Sequence, residues 1–273
     1  MENYPKTMIE FEKRFTTEDT CQEYLYQMRW PEEFTCPRCG HQKCWKKQSG
    51  LYRCSKCRYQ LSVTAGTIFH DSRIPLRLWF RAIWQVVSQK QGMSALGLQR
   101  VLGLNSYRIV WVLLHKLRIA MIRPGRDRLA GCVQVDETYM GGPRSGKRGR
   151  GAAGKTLVLV AVEDKDGFAG RIRLQQVKDA SAASLIPVLK ESVQPKSKIC
   201  TDGWEGYSPL SASGYKHRII RKTADIGENL LPLANRVTAL LKRWLLGTHQ
   251  GAPRSSHLAY YLDEFVFRFN RRT

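Results

Sequence analysis

Residues 132–139 read Cys-Val-Gln-Val-Asp-Glu-Thr-Tyr, an apolar run with a period of two that leads into the acid Asp136. Residues 198–201, Lys-Ile-Cys-Thr, lead into Asp202 in the same way. Both patterns predict β-strands with an aspartate at the strand end, where α/β sheets collect their ligands. Glu137 follows Asp136 directly, and on a strand its side chain would point to the opposite face.

The flanking segments predict a mixed α/β domain around these two strands. Apolar runs at 157–162 and 172–174 predict two further strands, while 180–190 and 231–246 have helical patterns. Strands interspersed with helices in this order are typical of a mixed α/β domain.

Upstream, the pattern of residues 73–123 is helical, with apolar side chains recurring at spacings of three and four. Ser94 and Gly103 suit the two caps of a short helix, and a longer helix is predicted over 107–122. This outline fits a helix-turn-helix, although many helical domains without a DNA role share it. The longer helix carries Arg108, His115, Lys116 and Arg118 among its apolar residues.

Six of the eight cysteines lie in the first 72 residues, and four of them form two C-x2-C pairs. The pairs are Cys36 with Cys39 and Cys54 with Cys57, and fourteen residues separate them. This spacing predicts a structural zinc site with four thiolate ligands. A redox motif or an accidental pairing is the alternative, and the other cysteines are expected to be spare thiols. Because the N-terminus lacks an apolar signal segment, we expect reduced thiols and no secretion.

The charge balance points to a polyanionic partner. Lys and Arg total 45 against 23 Asp and Glu, a net charge of +22. Such a surplus favours nucleic acid, although a merely cation-rich surface remains an alternative. No run approaches the length of a membrane-spanning helix, so no membrane partner is expected.

Six longer motifs extend over the second half of the chain. They are Asp136-Glu-Thr-Tyr-Met-Gly-Gly142, Gly149-Arg-Gly-Ala-Ala-Gly-Lys155, Asp179-Ala-Ser-Ala-Ala-Ser184, Thr201-Asp-Gly-Trp-Glu-Gly-Tyr207, Leu241-Lys-Arg-Trp-Leu-Leu-Gly-Thr-His-Gln-Gly251 and Tyr261-Leu-Asp-Glu-Phe-Val-Phe-Arg-Phe-Asn-Arg-Arg272. With the Cys36 pair, they resemble bacterial insertion-sequence transposases of the DDE type. More narrowly, the chain resembles the group with an N-terminal zinc ribbon and an ISXO2-like transposase domain.

This resemblance implies an α/β ribonuclease H-like catalytic domain that uses Mg or Mn to cut transposon ends and to join the freed 3′-hydroxyl to target DNA. The expected partners are the terminal inverted repeats, target DNA and further copies of the chain, in the cytoplasm at the bacterial nucleoid. The expected domains are a zinc ribbon at 1–72, a helix-turn-helix-like segment at 73–125 and the catalytic domain at 126–273. Relatives continue past the last motif, so we expect a short C-terminus.

The resemblance also assigns the site residues. Asp136 matches the first acidic position of the family and Asp202 the second, and these two are the expected magnesium ligands. Asn235 with Lys242 matches the third position, and seven residues on a helix put both on one face. An amide brings no charge, so the site is less anionic than a carboxylate triad, and Glu228 is a second candidate ligand.

The Gly-rich segment 141–155 carries five cations beside the expected site. As a flexible hairpin it needs no further role, but its charges suit a clamp on the DNA backbone. The expected contacts are Arg144, Lys147, Arg148, Arg150 and Lys155. Trp204 and Tyr207 either stack on a splayed base or belong to the core.

Two other functional hypotheses follow from the same residues. A transposase-derived DNA-binding protein that has lost catalysis would account for Asn235 and an early stop. A zinc-ribbon transcription factor of other ancestry would not account for Asp136 and Asp202. Strand cleavage in a magnesium-dependent assay separates the enzyme from both.

Overall fold

The computed structural model describes residues 4–122, 125–141, 155–220, 230–251 and 253–272. The chain forms two compact units, Met1–Leu117 and Arg118–Thr273. None of the helices in the described ranges is long and apolar enough to cross a membrane.

The first unit opens with two short helices that the sequence patterns did not predict, α1 (Met8–Arg14) and α2 (Glu18–Arg29). Each begins at a threonine capping box, in which Thr7 pairs with Glu10 and Thr17 pairs with Thr20. Each helix has only one fully buried side chain, so its apolar stripe is weak and periodicity alone could not identify it.

A three-stranded antiparallel sheet follows and forms the ribbon. Its strands are β1 (Cys44–Lys46), β2 (Tyr52–Cys54) and β3 (Gln60–Leu61), in that spatial order. A small apolar cluster that includes Phe34, Tyr52 and Val63 packs beside the cysteines. Because this core is so small, the module needs an additional stabilising element, such as a bound metal ion, to be stable.

The helical segment confirms the predicted outline in α3 (Leu76–Ser88), α4 (Ala95–Leu102) and α5 (Tyr107–Ala120). The Ser94 hydroxyl accepts a hydrogen bond from the Gly97 amide, and Gly103 ends α4 in the left-handed conformation. Two of the four basic residues on α5, His115 and Arg118, are buried. They are therefore not available as surface contacts to DNA.

The second unit is built on a five-stranded mixed sheet in the spatial order β6-β5-β4-β7-β8. β4, β5 and β6 are antiparallel neighbours, whereas β7 runs parallel to β4 and β8 runs parallel to β7. The strands are β4 (Cys132–Met140), β5 (Thr156–Lys165), β6 (Phe168–Val177), β7 (Lys198–Thr201) and β8 (Lys216–Ile219). This mixed α/β sheet confirms the fold class expected of a ribonuclease H-like transposase domain.

Helices cover both faces of this sheet. One face carries α6 (Ala182–Ser192) and a 3-10 helix (Glu205–Leu210), and the other carries α7 (Pro232–His249) and α8 (Ser255–Phe269). In β5, alternate side chains enter the two cores. Burial on both faces explains why the sequence of β5 is a continuous apolar run.

One predicted strand end was wrong. β4 continues to Met140, so Asp136 lies inside the strand and not at its end. The reason is that β5 pairs with the whole of β4, as far as Met140 opposite Thr156, whereas pairing of β4 with β7 reaches only Gln134.

Candidate functional site

The two aspartates lie at the same level of the sheet. In the parallel pairing of β4 with β7, Cys132 lies opposite Lys198 and Gln134 lies opposite Cys200. Asp136 lies two residues after Gln134, and Asp202 lies two residues after Cys200, directly after the end of β7. The register therefore places these two sequence-predicted residues at the same level of the sheet, Asp136 within β4 and Asp202 just past the end of β7.

Helix α7 packs against the face of the sheet to which Asp136 belongs. The side-chain carbonyl of Gln134 accepts hydrogen bonds from the backbone amides of Leu233 (3.0 Å) and Ala234 (3.4 Å) at the start of α7. Because side chains alternate along a strand, Asp136 shares the face of Gln134. Cys200 of β7, two residues before Asp202, lies in the core on this same face.

Asn235 and Lys242 occupy one exposed face of this helix. Asn235 directly follows Ala234, and Lys242 lies seven residues later, nearly two turns on. Burial by surrounding atoms and the positive charge of Lys155 lower the pKa of Lys242, while the Asp136 carboxylate opposes that shift. Lys155 and Asp136 therefore both lie within electrostatic reach of Lys242.

The turn that carries Asp202 has a tightly defined backbone. The Asp202 carboxylate accepts a hydrogen bond from the Trp204 amide (3.0 Å), and the Thr201 hydroxyl accepts one from the Gly203 amide (3.2 Å). Gly203 has a φ of +88°, and a Cβ there would lie 2.6 Å from Cγ2 of Ile219. Only glycine fits, and the position of Asp202 follows from this turn.

Glu137 lies on the opposite face of β4, as strand alternation predicted. The Tyr207 hydroxyl donates a 2.7 Å hydrogen bond to the Glu137 carboxylate. Tyr207 is fully buried, and burial together with the Glu137 charge raises its pKa well above the usual value. Tyr207 is therefore a core residue that cannot stack on a base. Trp204 is partly buried, and its ring nitrogen donates to the Ala180 carbonyl at 2.7 Å.

The four cysteines of the ribbon form a potential metal site. Their sulfur atoms all lie within 4.8 Å of one another, with 3.6 Å between Cys36 and Cys57 and between Cys39 and Cys54. A tetrahedral zinc ion with Zn–S bonds of about 2.3 Å needs sulfurs roughly 3.8 Å apart, so the donors fit zinc. Cys44 is not in this cluster, and its sulfur lies 3.8 Å from the Tyr26 hydroxyl.

Hydrogen bonds favour the thiolate form at one of these sulfurs. Burial opposes ionisation of Cys54, but the backbone amides of Cys57 and Lys56 and the Cys39 thiol lower its pKa to about 6. Because the thiolate is the form that binds a metal, this environment prepares Cys54 as a ligand.

Several expected residues lie outside the described ranges. Among the proposed DNA contacts these are Arg144, Lys147, Arg148 and Arg150, and the same holds for the second candidate ligand Glu228. Lys155 lies within the described ranges, and its side chain lies close to Gly141.

Sequence reasoning missed Gln134, which connects the start of α7 to the strand of Asp136. A signal was present, because a buried glutamine between two valines of a strand needs a hydrogen-bond partner. Its contact supplies the physical link between the aspartates and the helix of Asn235.

Comparison with known proteins agrees with this architecture. Residues 128–270 match the ISXO2-like transposase domain, and residues 16–60 match the transposase zinc-ribbon domain. A protein in transposable element ISH50 of Halobacterium salinarum is 24% identical in an alignment 277 residues long, and this alignment covers 94% of this chain and 92% of that protein. A transposase-like protein of Haemophilus influenzae is 29% identical over 99 residues, which cover 34% of this chain and 76% of that protein.

Among solved structures, a chain of the simian T-cell lymphotropic virus intasome in complex with PP2A regulatory subunit B56 gamma aligns with a TM-score of 0.33. Its identity is 16%, over 60% of this chain and 63% of that chain, a similarity too low to bear on the fold. The family match is stronger, because it accounts for just over half of the residues. The chain therefore belongs to the family of proteins with an ISXO2-like transposase domain.

Proposed function

We propose that this protein is the DNA transposase of a bacterial insertion sequence, which binds terminal inverted repeats and catalyses metal-dependent strand cleavage and strand transfer. The observation that carries the proposal is the β4–β7 register, which sets Asp136 level with Asp202. Two carboxylates on neighbouring strands, beside a cationic helix, suit phosphoryl transfer on DNA.

The donor set fits a hard divalent cation. The carboxylates of Asp136 and Asp202 would hold Mg or Mn, with the amide oxygen of Asn235 as the third protein donor. One such ion would activate the attacking oxygen at a phosphodiester, and a second would stabilise the leaving oxygen. Asn235 leaves the donor set with two negative charges, which limits the attraction for a second cation.

Cationic side chains would hold the DNA at this site. Lys242 lies within electrostatic reach of Asp136 and of Lys155, so it would bind a backbone phosphate next to the carboxylates, and Lys155 would bind one next to Lys242. We assign the same role to Arg144, Lys147, Arg148 and Arg150, as a clamp that continues from Lys155.

The first 125 residues would recognise the element's ends. We propose a zinc ribbon at 1–72 and a helix-turn-helix-like segment at 73–125, followed by the catalytic domain at 126–273. Seven Lys or Arg and no acid lie between Thr35 and His70, which suits contact with phosphates. The active form would be a homo-oligomer on DNA, in the cytoplasm at the nucleoid.

Incubation of the purified protein with its terminal-repeat DNA and Mg or Mn tests this proposal. We expect strand cleavage by the wild type, and none by Asp136→Ala or Asp202→Ala, while end binding is retained. Glu137→Gln is the matched control, because Glu137 neighbours Asp136 but faces the other side, and it should still cleave. Wild-type binding without any product would favour a catalytically impaired DNA-binding protein. Cleavage by either alanine variant would refute the site assignment.

A further inference from the structure

The second unit contains a cavity of about 370 Å³ beside the edge strand β6. Ligand pockets are usually lined by apolar side chains with a few polar groups. This cavity is instead lined mainly by charged residues, namely Arg126, Asp127, Arg171, Arg173, Asp263 and Arg271. Four guanidinium groups against two carboxylates make it a site for an anion.

Arg173 is the buried wall of this cavity. It is only 8% exposed, and its guanidinium donates to the backbone carbonyls of Asp127 and Ile172. Burial, together with the like charges of Arg126 and Arg171, lowers its pKa to about 10. The group is still cationic at neutral pH, so a positive charge is held inside a site that already contains others.

The carboxylates of the cavity only partly offset this charge. Asp263 lies 3.8 Å from Arg126 and Asp127 lies 3.9 Å from Arg171, both beyond hydrogen-bond distance. Arg171 has its close partner elsewhere, in Glu163 at 2.7 Å.

Two arginines at the rim retain donors for a ligand. Arg271 is exposed and stacks on the Phe267 ring at 4.0 Å, which fixes its plane. Arg126 is exposed as well, and within the described ranges neither of the two makes a hydrogen bond to a carboxylate. Planar guanidinium groups of this kind bind phosphate oxygens in a bidentate manner.

We infer that this cavity holds one backbone phosphate of duplex DNA, bound by Arg126 and Arg271 over the buried Arg173. The inference rests on the proposed function, from which DNA follows as the partner. The contact is separate from the aspartate site. Asp136 of β4 pairs with Val160 of β5, and Val160 pairs with Leu174 of the edge strand β6, two strands away from β4. Arg171 lies a further three residues from Leu174 along β6. Strand alternation also turns Arg171 and Arg173 to the face opposite Asp136, so the cavity would contact a phosphate distant from the aspartates.

The salt dependence of DNA binding tests this site, measured by fluorescence anisotropy on duplex terminal DNA without divalent metal. Each neutralised phosphate contributes about 0.9 to the slope of log K against log salt. We expect the double variant Arg126→Gln, Arg271→Gln to lower the slope by about 0.9 and to weaken binding several-fold. The control Lys190→Gln removes an exposed cation of α6 from the same unit and should leave the slope unchanged.

A second variant, which should bind DNA more tightly than the wild type, separates loss of the phosphate contact from misfolding as the cause of weaker binding. Asp127→Asn removes an exposed negative charge from the rim and should tighten DNA binding several-fold. Its control Glu191→Gln removes an exposed acid of α6 and should have little effect. Slopes and affinities that match the controls, in folded variants, would overturn the inference.

The two proposals fail in different ways. If the wild type binds and cleaves DNA but the cavity variants behave like their controls, only this inference is wrong. If the wild type binds without cleaving and the cavity variants respond as expected, the phosphate site stands without the catalytic proposal. A wild type that does not bind DNA would refute both.

Discussion

Gly203 fixes the backbone of the turn that carries the Asp202 carboxylate. Its φ of +88° is costly for a side chain, and the space where a Cβ would lie is filled by Ile219. The turn that follows β7 is therefore fixed by backbone sterics before any ligand binds.

We predict that Gly203→Ala destabilises the protein by about 2–4 kcal/mol, from the positive φ and from overpacking against Ile219. It should also reduce DNA cleavage, since Asp202 has to move with the turn. Gly167→Ala is the matched control, because Gly167 has a φ of +84° with no atom within 4 Å of its Cβ position. Urea unfolding compares the two variants. Equal losses of stability would mean that the contact with Ile219 has no role.

At the scale of the element, α7 combines the candidate site with a half-buried titratable group, His249. The helix begins at the Gln134 contact and ends at His249, whose ring packs edge-on against Trp244 at 4.6 Å and Tyr261 at 4.8 Å. Burial lowers the pKa of His249 to about 4, with smaller contributions from Arg118 and Arg268 and an opposing one from Glu264.

This pKa predicts a pH-dependent stability. In the unfolded chain His249 binds a proton below about pH 6.5, whereas in the folded protein it does so only near pH 4. The unfolded state thus binds more protons in that window, and the free energy of unfolding falls by up to about 1.4 kcal/mol per unit as the pH drops from 6.5 towards 4.

His249→Gln should remove this contribution, which urea unfolding at pH 7.5, 6.5 and 5.5 would measure. His70→Gln, at an exposed histidine, serves as the control and should leave the wild-type slope unchanged. If the free energy of unfolding of His249→Gln has the same slope against pH as that of the wild type, the ring is not held in its neutral form in the folded protein.

The sequence patterns predicted several elements whose ends are marked locally, but missed the capped helices α1 and α2, whose apolar stripes are weak, and elements whose stability comes from tertiary contacts. β7 was predicted at its observed residues, and the caps Ser94 and Gly103 marked both ends of α4. β8 reads Lys-His-Arg-Ile and owes its strand conformation to pairing with β7, which no local pattern shows. α8 was missed because its aromatic side chains occur nearly all round the helix, with Glu264 buried among them.

The candidate site was predictable to a similar extent. Asp136 and Asp202 could be selected from strand patterns, but their common level depends on the parallel β4–β7 register, which a single sequence does not contain. Gln134 and the electrostatic neighbourhood of Lys155 with Lys242 likewise emerge only from the packing of α7 on the sheet.

At the scale of the whole molecule, charge and architecture agree. A chain with a net charge of +22 presents two aspartates at the level where β7 ends, and Lys242 of α7 lies within electrostatic reach of Asp136. Excess positive charge draws the DNA backbone towards the surface, while two negative charges reserve one point for a divalent cation. The family match and the fold are both consistent with this division of roles.

Iron-directed backbone cleavage would test most directly whether Asp136 and Asp202 share one divalent cation. Zinc-loaded protein is incubated with Fe²⁺ and ascorbate, so that radicals formed at the bound ion cut the nearest backbone. We predict cuts near residues 136 and 202 together, both suppressed by excess Mg²⁺ and both lost in Asp202→Asn. Cuts near only one of the two positions, or a pattern unchanged in Asp202→Asn, would contradict a shared site.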